Sequence, residues 1–464
     1  MQEKLSQINI ITFGCRLNAL ESEIIRKYAV TAGLEKFNNI FIFNTCAVTA
    51  EAERQVAQSV RKYKRNYPDS IIILAGCSAN ASSDKYINMN EVDFVIGNKE
   101  KVSLKTYQDI YTLLKNGYGN AIKKSKTFLS NLKNTTFSTI DDLDLTVENF
   151  TDRTRAFIQI QQGCKNRCTF CIVSILRGNS VSFPIEKIFD QVKTVVKNGY
   201  KEIILTGVDI ASYGDKIVDS LPLAKLLKEI SMKFPTIKRI RLSSLDPAYN
   251  YNELINLARY NTKIMPHFHL SLQHASDKIL RLMGRRHTRK QALDLCKNIR
   301  KKIGNHTAIG ADVITGFPNE TEEDFKLLLK FIKQAKITHL HTFVYSPRPN
   351  TFAYDHMVDN VPKNVAKLRA KILRKTAKNN MKHLMRISEK SYQYVLLEHN
   401  GQSGYTENYI KCNIINPKET HVENYSNMNE VRIEELSEND IVKVKIIKNR
   451  IVNEKQEIYG IAVK

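Results

Sequence analysis

No apolar run in this chain approaches the ~20 residues that span a bilayer. The longest, such as Ile71 to Ala75, end after a few residues, so no membrane segment is expected. The opening Met1-Gln2-Glu3-Lys4 lacks the basic stretch and apolar core of a secretory signal, and a cytosolic location is expected. Acidic side chains are scarce beside basic ones: 47 Asp and Glu face 71 Lys and Arg, for a net charge of +24 over 464 residues. A surplus of that size favours a polyanionic partner, nucleic acid first. Apolar residues make up 42% and charged residues 25%, which argues against wholesale disorder. The length allows about three domains. Cysteine is limited to eight residues. In a cytosolic chain these are expected to be metal ligands or redox groups rather than disulfides.

Three of the eight recur in a pattern. The apolar run Ile8 to Phe13 leads into Gly14-Cys15, Ile40 to Phe43 into Asn44-Thr45-Cys46, and Ile71 to Ala75 into Gly76-Cys77. The cysteines stand 31 residues apart, twice, with the helix-compatible stretches Ala19 to Ala32 and Glu51 to Tyr67 between them. Strand, helix, strand at this period predicts a parallel sheet. The carboxyl ends of its strands share one edge, so three cysteines just past three strands converge there. Three thiolates at one point suit a metal or an iron–sulfur cluster.

A second set is compact. Gly163-Cys164-Lys165-Asn166-Arg167-Cys168-Thr169-Phe170-Cys171 places three cysteines at C-x3-C-x2-C spacing. A four-iron cluster usually takes four cysteines, so three from one loop would leave one iron open. Structural zinc would need a fourth Cys or His at finger or ribbon spacing, and none follows within the next 20 residues. The remaining two, Cys296 in a helical stretch and Cys412 in a late strand, read as buried thiols.

Beyond residue 150 a new series begins. Ala156–Ile160, Glu202–Leu205, Arg239–Leu242, Phe268–Leu272, Ala308–Ile314 and His339–Tyr345 read as strands. Ile185–Asn198, Leu223–Lys233, Tyr251–Tyr260, Lys290–Lys302 and Glu322–Gln334 read as the helices between them. Six such units predict a partial (β/α)6 barrel of the TIM type, whose chemistry belongs at the carboxyl ends of the strands. Small and polar residues gather there: Gly163-Cys164, Thr206-Gly207, Ser243-Ser244, Gln273-His274, Gly316 and Ser346.

Val361 to Ile387 holds nine basic residues (Lys363, Lys367, Arg369, Lys371, Arg374, Lys375, Lys378, Lys382, Arg386) and no Asp or Glu. Most recur at three- or four-residue spacing and predict one basic stripe on a helix, suited to a phosphate backbone. From Ser388 the pattern turns to short alternating strands, Tyr392–Leu397, Tyr409–Ile415, Ile441–Ile447 and Tyr459–Val463, which predict a small all-β barrel. Ser388–Lys464 carries 10 basic and 12 acidic residues, so the phosphate track is expected on the preceding helix and the central barrel instead.

C-x3-C-x2-C with Phe170 before the last cysteine resembles the radical S-adenosylmethionine (SAM) superfamily. Thr12-Phe13-Gly14-Cys15-Arg16-Leu17-Asn18, Glu21-Ser22-Glu23, Asn44-Thr45-Cys46-Ala47-Val48-Thr49 and Ala75-Gly76-Cys77 resemble the amino-terminal domain of its methylthiotransferases. Leu205-Thr206-Gly207-Val208-Asp209, Ser271-Leu272-Gln273-His274, Met283-Gly284-Arg285-Arg286-His287-Thr288 and Tyr345-Ser346-Pro347-Arg348-Pro349 extend the likeness over essentially the whole chain. Gly-Cys-Arg-Leu-Asn at residues 14–18 resembles the MtaB branch, which modifies N6-threonylcarbamoyladenosine at position 37 of tRNA, beside the anticodon. Ser174, Asn179, Val181 and Asn350 depart from the family pattern in the active-site loops.

The resemblance implies an α/β multidomain enzyme. A Rossmann-like sheet domain would cover residues 1–120, a linker 121–150, the radical SAM barrel with its basic helix 151–387, and a TRAM-like, OB-like RNA-binding domain 388–464. It implies two 4Fe-4S clusters, one on Cys164, Cys168 and Cys171, the other on Cys15, Cys46 and Cys77. Thr206, Gly207, Gln273 and Asp312 would line the SAM cavity, and Lys367, Lys371, Arg374, Lys375 and Lys378 would meet RNA. The unpolarised C2–H bond of adenine needs a cofactor-borne radical, and a single-stranded loop presents the base at small cost. An external one-electron donor such as a flavodoxin or ferredoxin is implied, with no membrane and a monomeric enzyme. Alternatives are methylthiolation of isopentenyladenosine in tRNA, of a ribosomal-protein aspartate, or a non-catalytic RNA-binding iron–sulfur protein.

Overall fold

The computed structural model describes residues 8–117, 126–128, 146–151, 153–214, 222–398, 401–415, 431, 433–452 and 455–463. Met1 to Lys4 and most of the expected linker lie outside the described residues.

The first sheet is wholly parallel, in the order β1 (Ile8–Thr12), β2 (Ile40–Thr45), β3 (Ile71–Gly76), β4 (Phe94–Ile96), β5 (Lys126–Phe128). Its period-2 alternation serves two cores. Ile40, Ile42 and Ile73 pack with Leu20, Ile24 and Ile25 of the helix Arg16–Thr31. Phe41, Phe43, Ile72 and Leu74 face the other way and pack with Val56 and Val60 of the helix Ala50–Asn66. A sheet covered on both faces explains why these strands read as nearly unbroken apolar runs. β4 and β5 extend it beyond the three expected strands; three residues each leave no readable period.

The central barrel is built from six parallel strands: β6 (Arg155–Gln159), β9 (Glu202–Thr206), β10 (Arg239–Leu242), β11 (His267–Gln273), β12 (Ala308–Thr315) and β13 (His339–Val344). Between β6 and β9 a short ribbon pairs β7 (Gln161–Gln162) with β8 (Val181–Ser182). β10-β9-β6 and β11-β12-β13 form two three-stranded sheets, joined by the parallel bridges Ile240↔Ile264 and Leu245↔Leu270. The two connecting helices Arg289–Ile303 and Glu322–Gln334 begin at capping boxes on Thr288 and Thr321, which satisfy end N–H groups that no helical carbonyl reaches.

The helix Lys363–Ser388 closes this unit. Ala366, Ala370, Leu373, Ala377, Met381, Leu384 and Met385 are buried at helical spacing. Ala366 sits so close to Gly316 that a Cβ there would stand 2.4 Å from its own. Lys367, Lys371, Arg374, Lys375 and Lys378 lie on the exposed side. Arg369 departs from the expected stripe: it is buried and pairs with Glu320 and Glu322, at 3.3 Å each. At two residues from both Lys367 and Lys371 it falls on the opposite side of the helix.

The last five strands close a barrel in the order β14 (Tyr392–Glu398), β15 (Ser403–Thr406), β16 (Lys411–Ile414), β18 (Lys455–Val463), β17 (Ile441–Val452). β15 was not among the expected strands, because Gly404 interrupts its apolar pattern. This barrel docks on the amino-terminal ends of the central strands. Arg239 donates to the Tyr405 carbonyl (3.0 Å), Arg241 to the Glu407 and Thr406 carbonyls (2.8 Å each), and His339 Nε2 lies 3.0 Å from the Tyr409 carbonyl. Glu202, fully buried, neutralises both guanidiniums. The β-barrel thus occupies the end of the central unit opposite the cysteine loop.

Candidate active site between two cysteine triads

Thr12 pairs with Asn44 and Thr45 with Gly76, so the ends of the first three strands lie level. Cys15 caps the helix Arg16–Thr31, Cys46 follows β2 directly, and Cys77 opens the short helix Cys77–Ala81. Cys15 is exposed; Cys46 and Cys77 are buried. Glycines make the approach possible. Gly14 has φ +96°, and a Cβ on it would stand 2.6 Å from Cys46 Cβ and 2.8 Å from Cys46 Sγ. Gly76, at φ +99°, would place a Cβ 2.8 Å from Asn44 Oδ1. Burial pushes the Cys46 thiol up to about 11, and the nearby Cys77 and Cys15 add to the rise.

The second triad lies on the loop after β7. The Cys164 N–H donates to the Gly178 carbonyl (3.0 Å), and the Cys171 N–H to the Cys168 carbonyl (3.0 Å), which curls the loop on itself. A Cβ on Gly163 would stand 1.9 Å from the Asn179 carbonyl oxygen, so that turn has no room for a side chain. From the far side the 283–287 block caps the loop: Thr169 N–H donates to the Met283 carbonyl (3.1 Å), and Arg285 Nη1 reaches Cys168 Sγ at 3.4 Å. Arg285 is itself held by Asp246 (3.0 Å) and the Ser271 carbonyl (2.8 Å). Burial pushes Cys164 up to about 12, with Asp209 adding to it, and burial pushes Cys171 up to about 11. Such thiols are neutral near pH 7 unless a metal takes the proton's place.

One five-residue helix, Val173–Arg177, joins the two triads. Ile172 and Leu176 pack against Ala47 and Cys77. Arg177, buried, donates to Glu21 through Nη1 (2.7 Å) and Nη2 (2.9 Å), and to Asn18 Oδ1 (2.8 Å). Lys101 Nζ completes the group 2.7 Å from Glu21. Burial alone would raise the Glu21 carboxyl; the attraction of Arg177 and Lys101 overcomes it and holds the group at about 2. Asn98 lies beside Cys77 Sγ (3.5 Å) and donates to the Leu176 carbonyl (3.2 Å). The donor chemistry of each set, three thiols with a guanidinium nearby (Arg177 by Cys77 and Cys15, Arg285 by Cys168), suits an anionic iron–sulfur cluster.

Thr206 is buried at the end of β9. A Cβ on Gly207 would stand 2.8 Å from the Gln161 carbonyl oxygen. Gln161 Oε1 accepts from the Val208 N–H (3.0 Å) and the Asp209 N–H (2.8 Å), and Asp209 accepts from Asn166 of the cysteine loop (3.0 Å). Gln273 ends β11 at φ +64°. Asp312 is engaged elsewhere, by His269 and His341 at 3.0 Å each. Asn350 takes φ +66°, a left-handed conformation that asparagine tolerates. The Tyr345–Pro349 block ties the first domain to the barrel: Ser346 Oγ accepts from the Ala50 N–H (2.9 Å), and Arg348 pairs with Glu53.

Within their sequence motifs Glu21 and Arg285 carry no sign of a role, and Arg177 stands in no recognisable pattern. For Lys101 no sequence signal existed. His267-Phe268-His269 and His339-Leu340-His341, two imidazoles at strand spacing on two strands, are the one sequence signal of the His269–Asp312–His341 cluster.

A model of the Radical SAM superfamily matches residues 158–332, and one of the Uncharacterized protein family UPF0004 matches residues 7–97. The chain is 42% identical, over 88% of its length and 91% of the relative's, to a Rickettsia prowazekii protein named threonylcarbamoyladenosine tRNA methylthiotransferase MtaB. A Thermotoga maritima protein of the same name is 32% identical over 94% of this chain and 96% of its own. A Petrotoga mobilis protein named tRNA-2-methylthio-N(6)-dimethylallyladenosine synthase is 31% identical over 86% and 89%. Among solved structures, the radical SAM methyltransferase TsrM from Kitasatospora setae, with cobalamin and a 4Fe-4S cluster, gives a TM-score of 0.50 at 13% identity, over 75% of this chain and 74% of that one, a likeness of fold.

Proposed function

We propose, for a chain that belongs to the radical SAM tRNA methylthiotransferases, that the substrate is N6-threonylcarbamoyladenosine at position 37 of tRNA and that the product bears a 2-methylthio group. The observation that carries the choice of nucleoside is the extensive likeness to relatives named for it, in species as different as Rickettsia prowazekii and Thermotoga maritima.

In this reading Cys164, Cys168 and Cys171 hold one 4Fe-4S cluster and Cys15, Cys46 and Cys77 a second. When bound, the clusters and SAM supply the one-electron chemistry that opens the adenine C2–H bond, together with the sulfur and methyl that replace the hydrogen. Three cysteines per site leave one corner for SAM or sulfur. Thr206, Gly207 and Gln273 line the SAM cavity; Asp312, paired with His269 and His341, is left out of it. Arg285 orients Cys168, and Arg177 fixes the distance between the sites by anchoring one loop to Glu21 of the other domain. Asp209, through Asn166, keeps the cysteine loop over the strand ends. Lys367, Lys371, Arg374, Lys375 and Lys378 form the phosphate track. The reading requires an external one-electron donor, such as a flavodoxin or ferredoxin, and a monomer that meets its tRNA in the cytoplasm.

Nucleoside analysis of tRNA from a strain lacking the gene tests the substrate. Loss of the 2-methylthio form of threonylcarbamoyladenosine, with the isopentenyl series intact, is expected. Loss of the isopentenyl series instead would overturn the proposal.

A further inference from the structure

His269, Asp312 and His341 form a cluster that the reaction above does not use. They stand on β11, β12 and β13, three adjacent parallel strands. Asp312 lies directly opposite His341, and His269 opposite Gly310, two residues away on the same face of β12. His269 Nε2 and His341 Nδ1 each stand 3.0 Å from Asp312 Oδ1, and the three atoms lie within 4.8 Å of one another.

The strand is adapted to this arrangement. A Cβ on Gly310 would fall 2.3 Å from His269 Nδ1, so only glycine leaves room for that imidazole. Glycine inside a strand weakens it and marks a close approach. The cluster is enclosed on one side and open on the other: the His269 side chain is 10% exposed, that of Asp312 24% and that of His341 64%. Among the described residues β13 pairs with β12 alone, so the cluster lies at the edge of its sheet.

Two imidazoles and one carboxylate match the donors that borderline first-row ions take. Magnesium and calcium prefer oxygen alone. Ligand atoms at about 2.1 Å from an ion and at right angles to each other, as in an octahedral site, lie about 3.0 Å apart, the spacing found on both sides of Asp312 Oδ1; a tetrahedral zinc ion would widen it to about 3.4 Å. A hydrogen-bonded trio would have the same spacing, but it does not by itself call for a third ligand group at the solvent edge. We propose that His269, Asp312 and His341 bind a divalent first-row transition-metal ion, separate from the cysteine sites, with coordination positions left free on the exposed His341 side.

Zinc is the probe. The full-length protein, reconstituted anaerobically with iron and sulfide, is dialysed against micromolar zinc, and both metals are counted. About one zinc per chain with unchanged iron is expected, with an X-ray absorption shell of nitrogen and oxygen at about 2.0–2.1 Å. His341→Ala, at an exposed position, should lower zinc affinity at least tenfold with iron unchanged, and Asp312→Asn should do the same. Retention of no zinc, equal retention by His341→Ala, or a sulfur shell at about 2.3 Å with loss of iron would each overturn the proposal. None of these readouts involves tRNA, so failure here is distinct from failure of the substrate assignment.

Discussion

Glu21 is a buried carboxylate whose two cationic partners come from different parts of the chain, Lys101 from its own domain and Arg177 from the barrel. Removing one member of a buried ion group leaves uncompensated charge and typically costs about 3–5 kcal/mol. Arg177→Ala should destabilise the protein on that scale, read from the urea midpoint at pH 7. The pH dependence has a definite sign. With Glu21 held at about 2 in the fold and near 4.3 when unfolded, the stability due to Arg177 is complete above about pH 4.3 and is lost as pH falls toward 2. The gap between wild type and Arg177→Ala should therefore narrow on acidification; a gap that widened would contradict this account of the group. Gly14 offers a second test at this scale. Gly14→Ala places a methyl group against Cys46 in a left-handed backbone. Reconstituted iron should fall from roughly eight per chain to roughly four, with SAM cleavage retained.

The helix Lys363–Ser388 presents its lysines on one side while Ala366, Ala370 and Leu373 seal the barrel on the other. Replacing Lys367, Lys371 and Lys375 together by alanine should weaken tRNA binding uniformly across sequences. It should also reduce the slope of log affinity against log salt by about 2–3, as fluorescence anisotropy across a salt series would show. An unchanged slope would move the phosphate track elsewhere. Much of this element level was legible in the sequence. β1, β2, β3 and the six barrel strands were found nearly to the residue, because strands buried on one or both faces keep long apolar periods. The placement of Cys15, Cys46 and Cys77 along one edge of the sheet followed from their equal offsets past three parallel strands. What stayed hidden depends on contacts between distant segments. The burial of Arg369 depends on Glu320, 49 residues earlier. The link through Arg177 depends on a helix of five residues, too short to have a period. Gly404 hid β15 by breaking its pattern.

At the scale of the whole molecule, the C-terminal barrel closes the amino-terminal ends of the central strands, and the first domain lies over the opposite end, with Ala47 and Cys77 packed against Ile172 and Leu176. Division of labour between the two triads is the claim on which the rest stands. The most direct measurement compares Cys46→Ala and Cys171→Ala, each reconstituted anaerobically, for 5′-deoxyadenosine release from SAM and for methylthiolation of unmodified-at-C2 tRNA. Cys171→Ala should do neither. Cys46→Ala should release 5′-deoxyadenosine and leave the tRNA without sulfur; a Cys46→Ala enzyme that still methylthiolates its tRNA would contradict the account.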